Sequence, residues 1–542
     1  MNGAQALIES LIREQVDHIF GYAGATICPA VDALKAHPEI RYTLVRTEQN
    51  AGHMASGYAR ISGKVGVCMV TSGPGATNLI TGIATAYMDS IPMVAITGQV
   101  PSHLLGRDIF QEVDITGAVA PFSKHSYLVK DPNDIPTVVK EAFHIASTGR
   151  PGPVLIDIPI DVQEASLKRF EYPEQVNIRG YKPSVKGNDL QIKRVAEAIS
   201  KSRQPLICAG GGVWLAHARD ELLELSERYS IPMVKTMMGI SVMPTDHKLN
   251  LGMIGAHGNH CANKALAEAD LLIMVGTRAA DRAMVNPSDI QRRMATIHID
   301  VDPAEIGKNM TAAIPLVGDV KVILHQLLER ETTAPQCGPW LERLHDYRKA
   351  ELSRIFPSRE GYVFPGTFLR KLGAKLNEDA VVCVDVGQNQ LFTCKYLPQK
   401  KGRLLTSGGL GTMGYALPAA VGVKVASPDA QTVVICGDGS FQMAMNELAA
   451  IRCADMDIKI VMFRNNVLGL VHQIQRTPAY HGPFGVDLDG SPDFETIAAA
   501  YGIPSIVVPD EEHVDEAIDR LLNTPGSCLA IVNVHPDVTT ND

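Results

Sequence analysis

Long apolar runs are the first thing this chain lacks. No stretch of its 542 residues approaches the ~20 apolar positions that a bilayer crossing needs. The opening "MNGAQALIESLIREQVDHIFG" reads as an amphipathic helix carrying acids, not as an export signal. Ten cysteines are present, but no two form a CxxC pair. Cys68, Cys208, Cys383 and Cys436 lie inside apolar runs, as small buried hydrophobes of a reducing compartment do, so a cytoplasmic location is expected. There is no basic block and the formal net charge is −9, which argues against nucleic acid and anionic membrane as partners. Aromatics make up only 5% of the chain. No GxGxxG opens a helix in the first strand–helix unit, which disfavours a simple Rossmann dehydrogenase.

What is present is glycine (46) and proline (33), in a background that is 45% hydrophobic and 20% charged. That mix suits α/β domains with many tight strand-to-helix turns. The length exceeds one core and implies roughly three domains of about 150 to 180 residues. Residues 1–165 alternate short apolar strands ("HIFGY", "YTLVR", "VGVCMVTSG", "PMVAITG", "PVLIDIP") with helical patterns, the signature of a parallel sheet. A polar stretch at 166–188 reads as a linker. A second module, 189–330, carries "QPLICAGGGV", "IPMVKTMMG", "DLLIMVGTR" and "ATIHIDVDP". A third, 362–542, carries "AVVCVDVGQ", "QTVVICGDGS", "IKIVMFRNN" and "CLAIVNV". The first and third modules align as strand, glycine turn, helix, polar break, strand, which suggests two related domains flanking a third. The expected fold is therefore α/β, with three doubly wound parallel sheets whose ligands sit at the carboxyl ends of strands.

"ICGDGSF" ends a strand and starts a helix. Its glycines let the backbone approach a ligand, and its free N–H groups suit phosphate. Asp438 puts a carboxylate beside that anion site, an arrangement that calls for a hard cation between them, most naturally Mg²⁺. "FRNN", at the end of the next strand, offers a neutral oxygen ligand in Asn465, 27 positions after Asp438. A lone GDG is most often a plain turn. GDG, then 25 residues, then NN, with strand–helix–strand between, is far more specific.

That spacing resembles the motif of the thiamin-diphosphate enzymes. The resemblance implies a glutamate on the other α/β module that bonds the aminopyrimidine, and "YTLVRTEQNAGHMASGYAR" places Glu48 at that position. Taken alone, Glu48 would read as a charge complementing a helix N-terminus. Longer strings extend the likeness over nearly the whole chain: "TSGPGATNLITGIATAYMDSIPMVAITGQV", "DIFQEVDITGAVAPFSKHS", "GRPGPVLIDIPIDVQ", "HIDVDPAEIGKN" and "TSGGLGTMGYALPAAVG" are similar to the catalytic subunit of acetohydroxyacid (acetolactate) synthases.

The resemblance implies pyrimidine-binding, FAD-type and diphosphate-binding domains in that order. Asp438, Asn465 and the main-chain oxygen of Val467 would ligate Mg²⁺. Gln388, Asn389, Gly437, Gly439, Ser440, Leu468 and Gly469 would line the cofactor's diphosphate end, and Asn78, Gly411 and Met413 its pyrimidine. Phe110, Gln111 and Lys124 would line the substrate entrance, and Arg282 would pair with the acceptor's carboxylate. In the middle module, Gly210, Gly211, Gly212, His257, Gly258, Arg278, Asp300 and Asp319 would contact FAD, which takes no redox part in the family's reaction. That reaction decarboxylates pyruvate and transfers the hydroxyethyl unit to a second 2-keto acid, pyruvate or 2-ketobutyrate, in branched-chain amino acid or acetoin metabolism. The implied assembly is a homodimer or homotetramer, to which a small regulatory subunit could be added.

The chain departs from the pattern near the site. Ile474 stands where the family usually has a Trp that narrows the acceptor pocket, Asn389 and Thr47 replace histidines, and "TRAADR" replaces "ARFDDR". The family's Pro-rich arm after the last strand is not found in "IVNVHPDVTTND". Three readings stand at this point: an acetolactate synthase; a related carboligase with another keto acid or acceptor; or a non-catalytic nucleotide-binding homologue, which the intact Glu48, Asp438 and Asn465 argue against.

Overall fold

The structure is a computed structural model that describes residues 1–353 and 355–541. It contains three six-stranded sheets, every named strand pair within them parallel. The first is built from β1 (His18–Tyr22), β2 (Arg41–Leu44), β3 (Gly66–Val70), β4 (Met93–Gln99), β5 (His125–Leu128) and β6 (Pro153–Pro159), ordered β2-β1-β3-β4-β6-β5. The second comprises β7 (Pro205–Ala209), β8 (Met233–Lys235), β9 (Asn250–Met253), β10 (Leu271–Val275), β11 (Ala295–Asp300) and β12 (Ile314–Val317), ordered β12-β11-β10-β7-β8-β9. The third holds β13 (Val381–Val384), β14 (Arg403–Leu405), β15 (Thr432–Gly437), β16 (Ile458–Arg464), β17 (Ser505–Val508) and β18 (Cys528–Asn533), ordered β14-β13-β15-β16-β18-β17.

The outer two sheets thus repeat one strand order, and the likeness of the first and third modules is a likeness of topology. The central sheet has the other order, that of a doubly wound dinucleotide-binding fold, with its switch point between β7 and β10. In each sheet the central strands are apolar on both faces because helices cover both sides; β3, β4, β6, β7 and β10 are buried throughout.

Six helices position the residues of interest: α1 (Glu48–Ser62), α2 (Pro74–Asp89), α3 (Gln388–Tyr396), α4 (Ala416–Ala426), α5 (Asp438–Gln442) and α6 (Gly469–Gln475). α1 and α4 join the outer domains through one continuous core that includes Met54, Leu79, Tyr415, Ala420 and Phe441. They approach through glycines: a side-chain carbon on Gly57 would collide with the Ala419 carbonyl, and one on Gly422 with that of Met54. A buried Arg60–Asp89 ion pair (2.8 Å) lies beside this contact, with Arg60 also donating to the Thr406 carbonyl at 3.0 Å. No helix of the described residues is long and apolar enough to cross a membrane.

Candidate active site

The turn after β15 begins the third domain's part of the site. β15 and β16 run level to their ends, Gly437 opposite Phe463, so Asp438 and Asn465 leave adjacent strands side by side. The Asn466 amide donates to Asp438 Oδ2 at 2.7 Å, and Gly439 N donates to Oδ1 at 3.0 Å. Asn466 has φ of 58°, the left-handed conformation that asparagine tolerates in turns, and it bends the chain back. The bend is held by residues 486–488: Leu468 N donates to the Val486 carbonyl at 2.8 Å and Leu488 N to that of Asn466 at 2.9 Å. Asn465 Oδ1 faces the Val467 amide at 3.2 Å.

Asp438 is buried, and no Lys, Arg or His among the described residues forms an ion pair with it. Burial pushes its carboxyl up to about 6, against the pull of the Asn466, Gly439 and Asn465 amides. A buried carboxylate with no counter-charge, on a turn next to an amide oxygen, has the chemistry that hard divalent cations take as ligands.

Asn389 is buried and donates to the Asp385 carbonyl at 2.6 Å, with its Oδ1 turned toward Gly437. A Cβ on Gly469 would meet the ends of the Gln388 and Asn465 side chains, which would have to move aside. Gly439 faces Leu468 and Met413. Gly411, at φ of 74°, faces open space, room for a ligand on the loop that carries Met413.

That loop is anchored by two further buried carboxylates. Asp89 accepts from Gly409 N at 2.7 Å and Gly408 N at 3.3 Å. Asp385 accepts from Gly414 N and Ala416 N, both at 2.9 Å, although burial pushes its own carboxyl up to about 6. An acid ending an apolar strand in "VVCVDVG" was the available signal.

The first domain gathers a second group. Glu48 opens α1, and Asn78 on α2 donates to its Oε2 at 3.0 Å. Gly75, also on α2, lies against Glu48 and Thr71, and Gly73 (φ 58°) lies against Gln111. Gln111 itself has φ of 63°, a strained value for a non-glycine residue. Phe110 beside it is 85% exposed. Glu48, Asn78, Phe110 and Gln111 therefore share one end of the first sheet.

Lys124 does not join them. Its ammonium donates to the carbonyls of Ile145 and Thr148 and to the Tyr181 hydroxyl at the far end of helix Ile135–Ser147, where burial lowers its pKa to about 8. A helix C-terminus with unpaired carbonyls is a favourable seat for a cation.

At the switch point of the central sheet lies a cavity of about 940 Å³, open to both outer domains. Gly211, Gly212, His257, Arg278, Asp300 and Asp319 line it, as do Arg282 and, from α6, Ile474. Arg282 and Ile474, expected at one acceptor pocket, are thus brought to one space. Arg282 is exposed, and its guanidinium makes a long contact to Asp281 at 3.8 Å. Gly210 and Gly258 do not reach the walls. Gly210 packs instead on the Gly276 carbonyl and Thr277, and Gly258 on Met253 and Ile254. The Asp319 side chain caps helix Val320–Leu328 through Val322 N at 3.0 Å, and Arg278 donates to the Met88 carbonyl at 2.9 Å.

The last residues turn back onto the site. Gln388 donates to the Val538 carbonyl at 2.8 Å and to Gln473 at 2.9 Å, while Thr540 bonds Gln473 at 3.1 Å and His257 at 3.0 Å. This short segment ties α3, α6 and the central domain together.

Comparison with known proteins bears on the whole chain. Family models for the thiamine pyrophosphate enzyme match three segments: the N-terminal TPP binding domain at residues 1–118, the central domain at 192–327, and the C-terminal TPP binding domain at 385–532. The "probable acetolactate synthase large subunit" of Methanocaldococcus jannaschii is 44% identical, over 97% of this chain and 91% of that protein. The acetolactate synthase of Arthrospira platensis is 43% identical over 99% and 95%, and the acetolactate synthase large subunit of Corynebacterium glutamicum 42% over 96% and 84%.

Proposed function

The chain belongs to the acetolactate synthase large-subunit family of thiamine pyrophosphate enzymes, and from that premise we propose that it joins two 2-keto acids with loss of CO₂, pyruvate serving as donor. The observation that carries this reading is the Asp438–Asn465 pair: a buried carboxylate without counter-charge, tied to a turn of oxygen donors at the end of the neighbouring strand.

When bound, thiamin diphosphate supplies the electron sink for decarboxylation of a 2-keto acid. The chain's residues bind and orient it. Asp438, Asn465 and the Val467 carbonyl would hold Mg²⁺ against the diphosphate, with Gly437, Gly439, Ser440, Gln388 and Asn389 around it. Glu48 would hold a proton at a nitrogen of the aminopyrimidine, and the Asn78 amide restricts which way that carboxyl points. Arg282 would receive the acceptor's carboxylate, a task suited to a planar guanidinium. Ile474 would set the width beside it.

FAD fits the central cavity in size, since ligand sites run to about 1,000 Å³, and in position at the switch point of a dinucleotide-type sheet. Gly211, Gly212, Arg278 and Asp300 are its proposed contacts, with Asp319 acting through the helix it caps.

No hydrogen bond or ion pair among the described residues joins Glu48 or Asn78 to Asp438 or Asn465. The active unit we propose, following the family resemblance, is a homodimer in which a second copy of the chain completes the site. Leu44, Phe110, Leu410, Met443 and Phe484, large apolar side chains left exposed, are in keeping with this. Relatives carry the name "large subunit", and a small partner subunit is part of the same proposal. So is a cytoplasmic location, in keeping with ten unpaired cysteines. Sedimentation with and without thiamin diphosphate and Mg²⁺, read beside product formation from pyruvate, tests the assembly. Full activity in a strictly monomeric species would contradict it.

A further inference from the structure

Glu447 stands nine positions beyond Asp438, on the turn that follows α5, and is fully buried. Its Oε1 accepts three N–H groups from the first domain: Arg46 N at 2.8 Å, Thr47 N at 3.2 Å and the Asn50 side-chain amide at 2.9 Å. These donors surround Glu48 in sequence, two just before it and one just after.

Their places in α1 are informative. Thr47 is the N-cap of the helix, and its side chain makes no capping bond. Asn50 is the third helical residue. In an ordinary capping box that third side chain reaches back to accept the N-cap N–H. Here Asn50 donates instead, and the acceptor it would have supplied comes from Glu447, some 400 residues away. A carboxylate at this spot is also favoured by the helix dipole. The other oxygen, Oε2, is buried with no partner. Burial raises the carboxyl's pKa, opposed by Asn50 and the two amides. A partnerless buried carboxylate oxygen costs free energy, so Glu447 is not explained by stability alone.

We propose that Glu447 is a positioning residue for Glu48: by capping the start of α1 from the opposite domain, it fixes the height and angle at which the Glu48 carboxyl meets the cofactor ring. Asn78 restrains the side chain and Glu447 the backbone beneath it. The proposal rests on the assignment of Glu48 as the group that serves the bound thiamin.

The test compares Glu447→Ala, Glu447→Asp, Glu447→Gln and Glu48→Gln in the full-length protein loaded with thiamin diphosphate and Mg²⁺. The readouts are deuterium exchange at the thiazolium C2 proton, kcat and KM for pyruvate, and melting temperature without cofactor. Glu447→Gln keeps an oxygen for all three donors and should exchange like the wild type. Glu447→Ala and Glu447→Asp, which remove or withdraw that oxygen, should slow exchange and kcat by about 10- to 100-fold with KM little changed, the scale of a small misplacement transmitted to a reacting group. If Glu447→Ala does not fold, Glu447→Asp decides. Wild-type exchange in a folded Glu447→Ala or Glu447→Asp, whatever its melting temperature, overturns the proposal. Wild-type exchange in Glu48→Gln would instead remove the assignment on which it rests.

Discussion

Asn78 and Glu48 come from different strand-to-helix turns of the first domain, yet the Asn78 amide donates to Glu48 Oε2 at 3.0 Å. The bond leaves Oε1 available to a ligand. A proton relay at Glu48 should contribute in the range of about 10²- to 10⁴-fold to rate. Glu48→Gln is expected to lose that factor in kcat while binding thiamin diphosphate with little change, as read by calorimetry. Asn78→Ala should cost less, since it frees the carboxyl without removing it. Undiminished kcat in Glu48→Gln would contradict the role.

Asp438 and Asn465 give a metal prediction. Mg²⁺ with thiamin diphosphate should raise the melting temperature of the wild type, because a ligand that binds only the folded state stabilises it by mass action. In Asp438→Ala the Mg²⁺-dependent part of that rise should vanish, and the metal-free variant should melt no lower than the wild type, since it removes a buried, uncompensated carboxylate. An unchanged response to Mg²⁺ would place the metal elsewhere.

Ile474 lines the same cavity as Arg282 and is partly exposed there. Ile474→Trp should narrow the acceptor pocket and raise the ratio of 2-ketobutyrate to pyruvate as acceptor. One methylene is worth only about 1–3 kcal/mol, so the change should lie near 10- to 100-fold. Competition between the two acids, with products resolved by mass spectrometry, measures it. An unaltered ratio would show that position 474 does not face the acceptor.

Lys235 ends β8 fully buried, and among the described residues its ammonium reaches only the Met243 carbonyl, at 3.3 Å. Burial, with Arg348 nearby, lowers its pKa to about 7, while Cys261 and Cys394 oppose the shift. In the unfolded chain the amine holds its proton to about pH 10.4. Between these values the unfolded state binds more protons, so stability from this residue rises with pH through that window and is lowest at and below pH 7. Lys235→Met should raise the melting temperature most near pH 6.5 and least near pH 10, the gain at low pH amounting to a few kcal/mol on a scale of about 1.4 kcal/mol per pKa unit. A pH-independent difference would contradict the assignment.

The parts of this molecule that were legible in its sequence are those written in short contiguous stretches. Strand, glycine turn and helix recur in the first and third modules because each such unit is local, and the twin sheets follow. The GDG turn and the Asn465 turn were legible because one helix and one strand fix their separation. Sheet order was not, since nothing local in β7 or β10 says on which side the chain crosses over. Glu447, Asp385 and Asp89 were missed for a related reason: each is an acid within or beside an apolar stretch, and it accepts from main-chain amides far along the chain, 29 residues away for Asp385, 319 for Asp89 and 401 for Glu447. The partners of Lys124 were not legible either. Its neighbours in "SKHS" suggest a surface cation, while the carbonyls that receive it come from the end of a helix 21 and 24 residues on.

Glu48 and Asp438 together would form the thiamin site at which this chain condenses 2-keto acids. The most direct measurement is incubation of the purified protein with thiamin diphosphate, Mg²⁺ and pyruvate, with the product read by mass spectrometry and, after acid treatment, as acetoin. Acetolactate formed with release of one CO₂ per product, and lost in both Glu48→Gln and Asp438→Ala, is the predicted result. Absence of acetolactate while a different keto acid is consumed, or acetolactate formed undiminished by either variant, would contradict it.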